Sequence, residues 1–262
     1  MTPSDSGIPF ESPPLRWVER RHEARCVVTG CDVLHEWMLP WWYANLRQHS
    51  RLPVVFTDLG LSRRARAWCE ERGEVVRNVV PVEHAQLAKP LSIIRSPYAE
   101  NLWTDPDCEI LKPLEPVFEE TRSEIGVVRD HPGAMDPIQT GVVVVRHGSA
   151  MALQWAELCR AWRRLDRAET PTVHYDQSLL SHLWRRQPEA FTLLRDECNW
   201  GRQREAPSDA VIVHWWGRDG KAEIRRRVAA RPAGDPWKAL GQGRLFPLRH
   251  RWAKVRWRLF DP

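Results

Sequence analysis

The sequence predicts an α/β fold: one domain built on a mixed, mainly parallel sheet with helices on both faces. Three observations predict it. Apolar strand patterns and helical patterns alternate through the first 80 residues, the arrangement that parallel strands with right-handed crossovers produce. The run Gly-Val-Val-Val-Val-Arg at 141–146 is β-branched nearly throughout, as a strand covered on both faces must be. Neither G-x-G-x-x-G nor a Walker phosphate loop follows the first strand, so a phosphate-bearing ligand would need another anchor.

The elements follow in order. Residues 25–29 read as a buried strand and 30–32 as its turn, with Asp32 a helix N-cap. A helix is predicted over 35–48, kinked or split at Pro40. Residues 52–57 form a second strand, 62–72 a helix stopped by Gly73, and 74–80 a third strand. A short helix spans about 88–96, and Leu102, Trp103 and Thr104 are the strand before the acidic triplet Asp105-Pro106-Asp107. Residues 114–120 suggest a helix, 124–129 a strand, 131–137 a loop and 141–146 a central strand. Met151, Leu153, Trp155, Leu158 and Trp162 recur at helical spacing within a helix over 149–164. Another helix starts at 174–177 and runs through Trp184, and 210–213 is a last short strand before His214-Trp215-Trp216-Gly217.

Composition narrows the function classes. The chain of 262 residues is 42% hydrophobic and 28% charged, an ordinary globular balance. It has no run of about 18 apolar residues, so no membrane span is expected. Residues 1–22 are polar and proline-rich, lack the basic start and apolar centre of a secretory signal, and read as a loosely ordered lead-in. The net charge of +5 comes almost wholly from arginine and is spread along the chain, which does not point to nucleic acid. Six cysteines form no C-x-x-C pair, so they read as buried free thiols in a reducing cytoplasm. The domain is expected to span 23–228, with a basic extension over 229–262. Within 246–262, arginines alternate with Trp252, Trp257 and Leu259. That pattern suits peripheral contact with an anionic membrane at its inner face, and equally a docked terminal helix with solvated arginines.

An Asp-x-Asp triplet is expected about once by chance in a chain of this length, so Asp105 and Asp107 draw meaning from context. Two readings stand: carboxylates two apart on extended backbone, aimed at a hard divalent cation, or a solvated acidic turn. Open α/β sheets bind ligands beyond the carboxyl ends of their strands. Thr29–Asp32, Asp105–Asp107 and His214–Gly217 all fall at such ends. Two carboxylates and an imidazole suit Mn²⁺ or Mg²⁺. Fifteen tryptophans are many for this length; Trp41, Trp42, Trp68 and Trp155 sit at core positions of helices, whereas Trp200, Trp215 and Trp216 fall near site loops, to stack on a ligand or to pack.

Taken in order, Thr-Gly-Cys-Asp, Lys-Pro before a helix, Leu-Trp-Thr-Asp-Pro-Asp, Gln-Thr-Gly-Val-Val-Val-Val, Asp-Gln and Val-His-Trp-Trp-Gly-x-x-x-Lys resemble a GT-A glycosyltransferase. The pattern over roughly residues 24–225 is most similar to the glycogenin and lipopolysaccharide-galactosyltransferase group, glycosyltransferase family eight, and to bacterial nucleotide-diphospho-sugar transferases. The resemblance implies a UDP-sugar donor, a Mn²⁺ or Mg²⁺ cofactor, and transfer with retention to a glycan, lipid-linked or small-molecule hydroxyl. It implies Asp105, Asp107 and His214 as metal ligands, Asp105 also meeting the ribose. Gly217 and Lys221 would lie against the diphosphate, and Thr29, Cys31 and Asp32 near the nucleoside. Lys89 would face the donor, and the catalytic candidates Asp176, Gln177 and Gln139 the transferred sugar: Asp176 as base of an inverting reaction, Asp176 or Gln177 as stabiliser of the cationic sugar in a retaining one, and the Gln139 amide bonded to a sugar hydroxyl. Asp176 reads otherwise as a helix N-terminal acid. The chain departs from the family at Gln139-Thr140-Gly141, where Asn-Ser-Gly is usual, and at Lys221-Ala222-Glu223, where Lys-Pro-Trp is common. A sugar nucleotidyltransferase would need a Gly-rich, Arg-containing loop after the first strand, and a haloacid-type phosphatase its Asp-x-Asp there; neither is present. A non-catalytic sugar-nucleotide or polyanion-binding protein of the same fold is the alternative function.

Overall fold

A computed structural model of the protein describes residues 13–77, 84–165, 174–201 and 205–241. β1 (His22–Cys31) leads through a 3-10 turn, Glu36–Met38, into α1 (Leu39–His49). Pro40 lies in the first turn of α1, where its missing N–H leaves no bond unmade; the predicted break is the passage from 3-10 to α-helix. β2 (Val54–Asp58) and α2 (Arg63–Glu70) follow. Ser62 caps α2, its hydroxyl accepting from Ala65 N at 3.1 Å. Next come β3 (Glu74–Arg77), α3 (Ala88–Ile93), β4 (Tyr98–Thr104), β5 (Cys108–Ile110) and α4 (Glu115–Glu120). The chain continues through β6 (Ile125–Arg129), β7 (Ile138–Arg146), α5 (Ala150–Arg160), α6 (Asp176–Arg186) and β8 (Phe191–Leu194). β9 (Trp200–Gly201), β10 (Ile212–His214) and α7 (Gly217–Ala229) complete the elements that build the site.

The main sheet runs β3-β2-β1-β4-β7-β6-β8. Every strand is parallel to the others except β7, which is antiparallel to both β4 and β6. The β-branched run explains why β7 tolerates that central place. Val142 and Val144 enter one apolar core with Trp41, Trp42 and Phe56. Val143 and Val145 enter the other with Trp155, Leu179 and Leu91. Alternate residues of one strand therefore fill two different cores. α1 lies on the first face, and α3, α5 and α6 on the second. A small second sheet, β5-β10-β9, stands beside the main one.

Both predicted flanks make contacts with the domain. Residues 13–21, expected within the lead-in, are tied down: Leu15 N donates to Glu157 Oε1 (2.7 Å), Val18 N to Ile94 O (3.1 Å) and Trp17 Nε1 to Ser149 O (3.1 Å). In the expected basic extension, Trp237 packs on the α1-side core and Ala239 O accepts from Arg64 Nη2 at 2.6 Å. Segment 246–262, with its membrane-contact expectation, lies outside the described residues. Among the described residues no helix is long and apolar enough to cross a membrane. All six cysteines are buried and unpaired. Trp41, Trp42 and Trp155 are fully buried, and Trp68 packs against the core from its rim.

Trp155 joins packing to site geometry, because its Nε1 donates to Asp176 O at 2.9 Å and so anchors the first turn of α6. Trp155→Ala is expected to lower stability by about 3–5 kcal/mol, read as a lower urea midpoint with an unchanged slope. A midpoint equal to that of the parent would contradict this packing.

Candidate functional site

The parallel strands β1, β4 and β6 end on one edge of the sheet, and reversed β7 begins there. That edge carries the acidic triplet. The triplet is not extended, contrary to the first of the two sequence readings. Cys108 N donates to Asp105 O at 2.9 Å, so residues 105–108 form a tight turn with Pro106 at its second position, where a fixed φ is favoured. The turn is not solvated either: Asp107 is only 5% exposed. Asp105 N donates to Gly141 O (2.9 Å), which ties the turn to β7.

The small sheet brings in the imidazole. β10 runs antiparallel to β5 with His214 opposite Cys108, and Trp215 N donates to Asp107 O at 2.9 Å. His214 Nε2 thus lies 3.3 Å from Asp107 Oδ1 and 3.7 Å from Asp105 Oδ2. One ligand atom from each of Asp105, Asp107 and His214 falls within 4.8 Å of the others. Two carboxylate oxygens and a ring nitrogen converging at this edge fit a divalent cation. Gly141 makes the approach feasible. A Cβ there would stand 2.2 Å from His214 Cε1 and Nδ1, so the ring occupies the space of the missing side chain. His214 Nδ1 is buried there without a hydrogen-bond partner.

Two lysines balance the acids. On α7, Lys221 Nζ donates to Asp107 Oδ2 at 2.6 Å. Burial works to raise the Asp107 pKa, but the bond and charge of His214, then Lys221, outweigh it and hold the carboxyl well below the usual carboxylate range. On α3, Lys89 is 3% exposed. Its Nζ donates to Thr140 O (2.6 Å) and lies 3.1 Å from Asp105 Oδ1 and 3.1 Å from Asp176 Oδ2. Burial alone would lower the Lys89 pKa; Asp105 and Asp176 reverse that and raise it. Asp176, in the first turn of α6, is buried as well. Burial raises its carboxyl pKa and Lys89 only partly offsets this. Asp105 Oδ1 also accepts from Trp103 Nε1 at 2.6 Å, and Oδ2, on the His214 side, accepts from Lys89 Nζ at 3.4 Å.

The remaining predicted residues are distributed as follows. Gln139 Nε2 and Gln177 Nε2 both donate to Asp130, each at 3.0 Å, and Asn199 Nδ2 donates to Gln139 Oε1 at 2.8 Å. Gly217 opens α7 at φ +76°, a conformation glycine adopts without strain, and sets Lys221 four residues along. Thr29 is spent on structure, its hydroxyl donating to Thr104 O at 2.8 Å. Cys31 is buried in the α1-side core, and burial pushes its thiol pKa well up. Asp32 Oδ1 accepts from Leu34 N (3.0 Å) and lies 2.7 Å from His35 Nδ1; it closes a turn rather than capping α1. Trp215 Nε1 donates to Glu109 Oε2 at 2.8 Å with Arg227 over its ring, whereas Trp216 is 36% exposed. Sequence reasoning passed over Trp103, Asp130 and Asn199. Asp130 follows directly on β6, so the strand-end rule that found the other acids covers it too; Asn199 carries no local signal.

The chain matches no protein-family model and no curated protein sequence. Its fold matches solved structures. The galactosyltransferase LgtC, solved with donor and acceptor sugar analogues, aligns with a TM-score of 0.53 at 13% identity, over 82% of this chain and 99% of that one. The glycosyltransferase GlyE of Streptococcus pneumoniae aligns with a TM-score of 0.57 at 16% identity, over 90% of this chain and 62% of that one, so this chain spans less than two thirds of GlyE. Mouse xyloside xylosyltransferase 1 aligns with a TM-score of 0.51 at 12% identity, over 73% of this chain and 97% of that one. The protein therefore has the GT-A fold, as the order of its motifs implied.

Lys89 is the one cation that reaches Asp176 among the described residues. Lys89→Met leaves a buried carboxylate uncompensated and is expected to cost about 3–5 kcal/mol at pH 8. The folded-state pKa of Asp176 is then raised further above its unfolded value. The deficit is therefore full above that raised value and is relieved as pH falls through it and Asp176 takes up a proton. Urea unfolding at pH 8 and pH 5 should show the smaller difference from the parent at pH 5; equal differences would contradict the assignment.

Proposed function

We propose that the protein is a metal-dependent glycosyltransferase that moves a sugar from a nucleoside-diphosphate sugar, by default UDP-linked, to a hydroxyl of a glycan, lipid-linked or small-molecule acceptor. The observation that carries this reading is the cluster of Asp105, Asp107 and His214, with Lys221 bonded to Asp107, on the ligand-binding edge of a GT-A sheet. When bound by those three residues, Mn²⁺ or Mg²⁺ supplies positive charge that stabilises a nucleoside-diphosphate leaving group. The chain's own residues do the rest. Lys221 offers an ammonium beside the diphosphate, and Gly217 permits close backbone approach there. The main chain at Thr29, Cys31 and Asp32 borders the nucleoside, since the side chains of Thr29 and Asp32 are already bonded within the protein. Lys89 holds Asp105 and Asp176 in place.

Retention is favoured over inversion by the contrast between Asp176 and Gln177. Asp176 is buried against Lys89, whereas Gln177 is partly exposed. A buried, ion-paired carboxylate is poorly placed to take a proton from an acceptor. Gln177 is the group free to face the sugar as positive charge develops at its anomeric carbon. Unpaired buried cysteines suit a reducing cytoplasm.

The test is a panel of sugar nucleotides, with and without Mn²⁺, followed by release of nucleoside diphosphate. At least one donor should turn over with Mn²⁺ and not without it. Asp107→Ala should cut that rate by about 10²-fold or more in protein that remains folded by circular dichroism. Binding of the donors without turnover would instead make the protein a sugar-nucleotide-binding module. Gly141→Ala drives a Cβ into the His214 ring and should weaken Mn²⁺ binding by about 10–100-fold, read by electron paramagnetic resonance titration; unchanged affinity would remove His214 from the ligand set.

A further inference from the structure

Asp130 stands at the end of β6, outside the residues assigned to metal, diphosphate and nucleoside. Its two carboxylate oxygens are divided between two glutamines. Oδ1 accepts from Gln139 Nε2 at 3.0 Å and Oδ2 from Gln177 Nε2 at 3.0 Å. Oδ1 also accepts from His131 N at 2.7 Å and lies 2.8 Å from His131 Nδ1. An irregularity in the β6–β7 ladder makes this possible. Val127 pairs with Val143, but the next residue, Val128, pairs with Gln139. The extra residues bulge out of β7 and bring Gln139 beside the end of β6.

An ionised carboxylate accepts hydrogen bonds and donates none. Both glutamine amides must therefore turn their nitrogens toward Asp130, and a planar amide then carries its oxygen on the opposite edge. The effect propagates. Gln139 Oε1, turned away from Asp130, accepts from Asn199 Nδ2 at 2.8 Å. That bond fixes the third amide, and Asn199 Oδ1 is left buried without a partner on a residue only 2% exposed. Three amides from β7, α6 and the segment before β9 thus share one polarity, set by one carboxylate.

We infer that Asp130 is a positioning residue that turns the Gln177 amide so that its oxygen, not its nitrogen, faces the transferred sugar, with Gln139 and Asn199 braced against the same carboxylate in the same polarity. This rests on the glycosyl-transfer reading for its consequence and on the hydrogen-bond pattern for its geometry. That orientation turns the negative end of the Gln177 dipole toward the charge that develops at the anomeric carbon. A reversed Gln177 amide would present N–H groups there and oppose that charge. The bonds from His131 mark the competing role, in which Asp130 only closes its loop. That role predicts a loss of stability and no selective effect on turnover.

Asp130→Asn offers one oxygen and one NH₂ group, so one glutamine must lose its partner or turn round; Asp130→Ala removes both acceptors and serves if the first variant folds poorly. In either variant kcat for nucleoside-diphosphate release should fall by about tenfold or more. The calorimetric Kd for UDP with Mn²⁺ should stay within about twofold, because Asp107, His214 and Lys221 are untouched. In protein labelled with [side-chain ¹⁵N]glutamine, the NH₂ signals of Gln139 and Gln177, assigned with Gln139→Glu and Gln177→Glu, should move. Unmoved signals, unchanged kcat, or UDP–Mn²⁺ binding that weakens in step with kcat would each overturn the proposal. If the parent protein turns over no donor at all, the function reading fails, and the NH₂ signals alone decide the role of Asp130.

Discussion

A buried ammonium organises this edge of the sheet. Lys89 Nζ sits among Asp105, Asp176 and Thr140 O, with almost no access to water. Removing a charge from water is costly unless opposite charge and hydrogen bonds replace the lost solvation. α3, the end of β4, the start of β7 and the first turn of α6 must therefore meet at one point. Lys89 also reaches both oxygens of Asp105, Oδ1 at 3.1 Å and Oδ2 at 3.4 Å, while Trp103 holds Oδ1. The residue that fixes the fold of the edge thereby also anchors its first metal-binding group.

The second constraint is steric. His214 arrives on a separate small sheet, and the register of β10 on β5 sets it beside Asp107. The ring then lies where a side chain at position 141 would be. The glycine of Gln-Thr-Gly thus serves an imidazole more than seventy residues away in sequence. A close-packed interior transmits such requirements between distant elements because it contains little slack.

The site has two walls of different chemistry. One is charged: Lys89 is ion-paired with Asp105 and Lys221 with Asp107, and His214 stands beside both carboxylates, an arrangement suited to a cation and a diphosphate. The other is made of amides: Gln139 and Gln177 hang from Asp130, with Asn199 buried behind Gln139, which suits the neutral sugar of the proposed donor. Asp176 lies at the join, charged but already neutralised by Lys89. In the proposed reaction, negative charge collects at the first wall and positive charge develops near the second, so each wall carries the sign opposite to its part of the transition state.

The sequence by itself determined the elements whose signal is local. The β-branched run of β7, the helix between Ser62 and Gly73 and the apolar spacing of α5 each depend on neighbours within a few residues. The motif order also pointed to the GT-A fold. The tertiary structure alone decided that β7 runs backwards, because both faces of a covered strand are apolar whichever way it points. It decided that 105–108 is a buried turn, since burial depends on the small sheet packing against it. α7 was hidden in a basic stretch because only Gly220, Ile224 and Val228 of its residues are buried, while Glu223 pairs with Arg226 and Arg227 on its open side. Asp130 with its three amides has no pattern along the chain. Its partners lie 9, 47 and, through Gln139, 60 residues apart, and only a folded sheet edge brings them within hydrogen-bond reach.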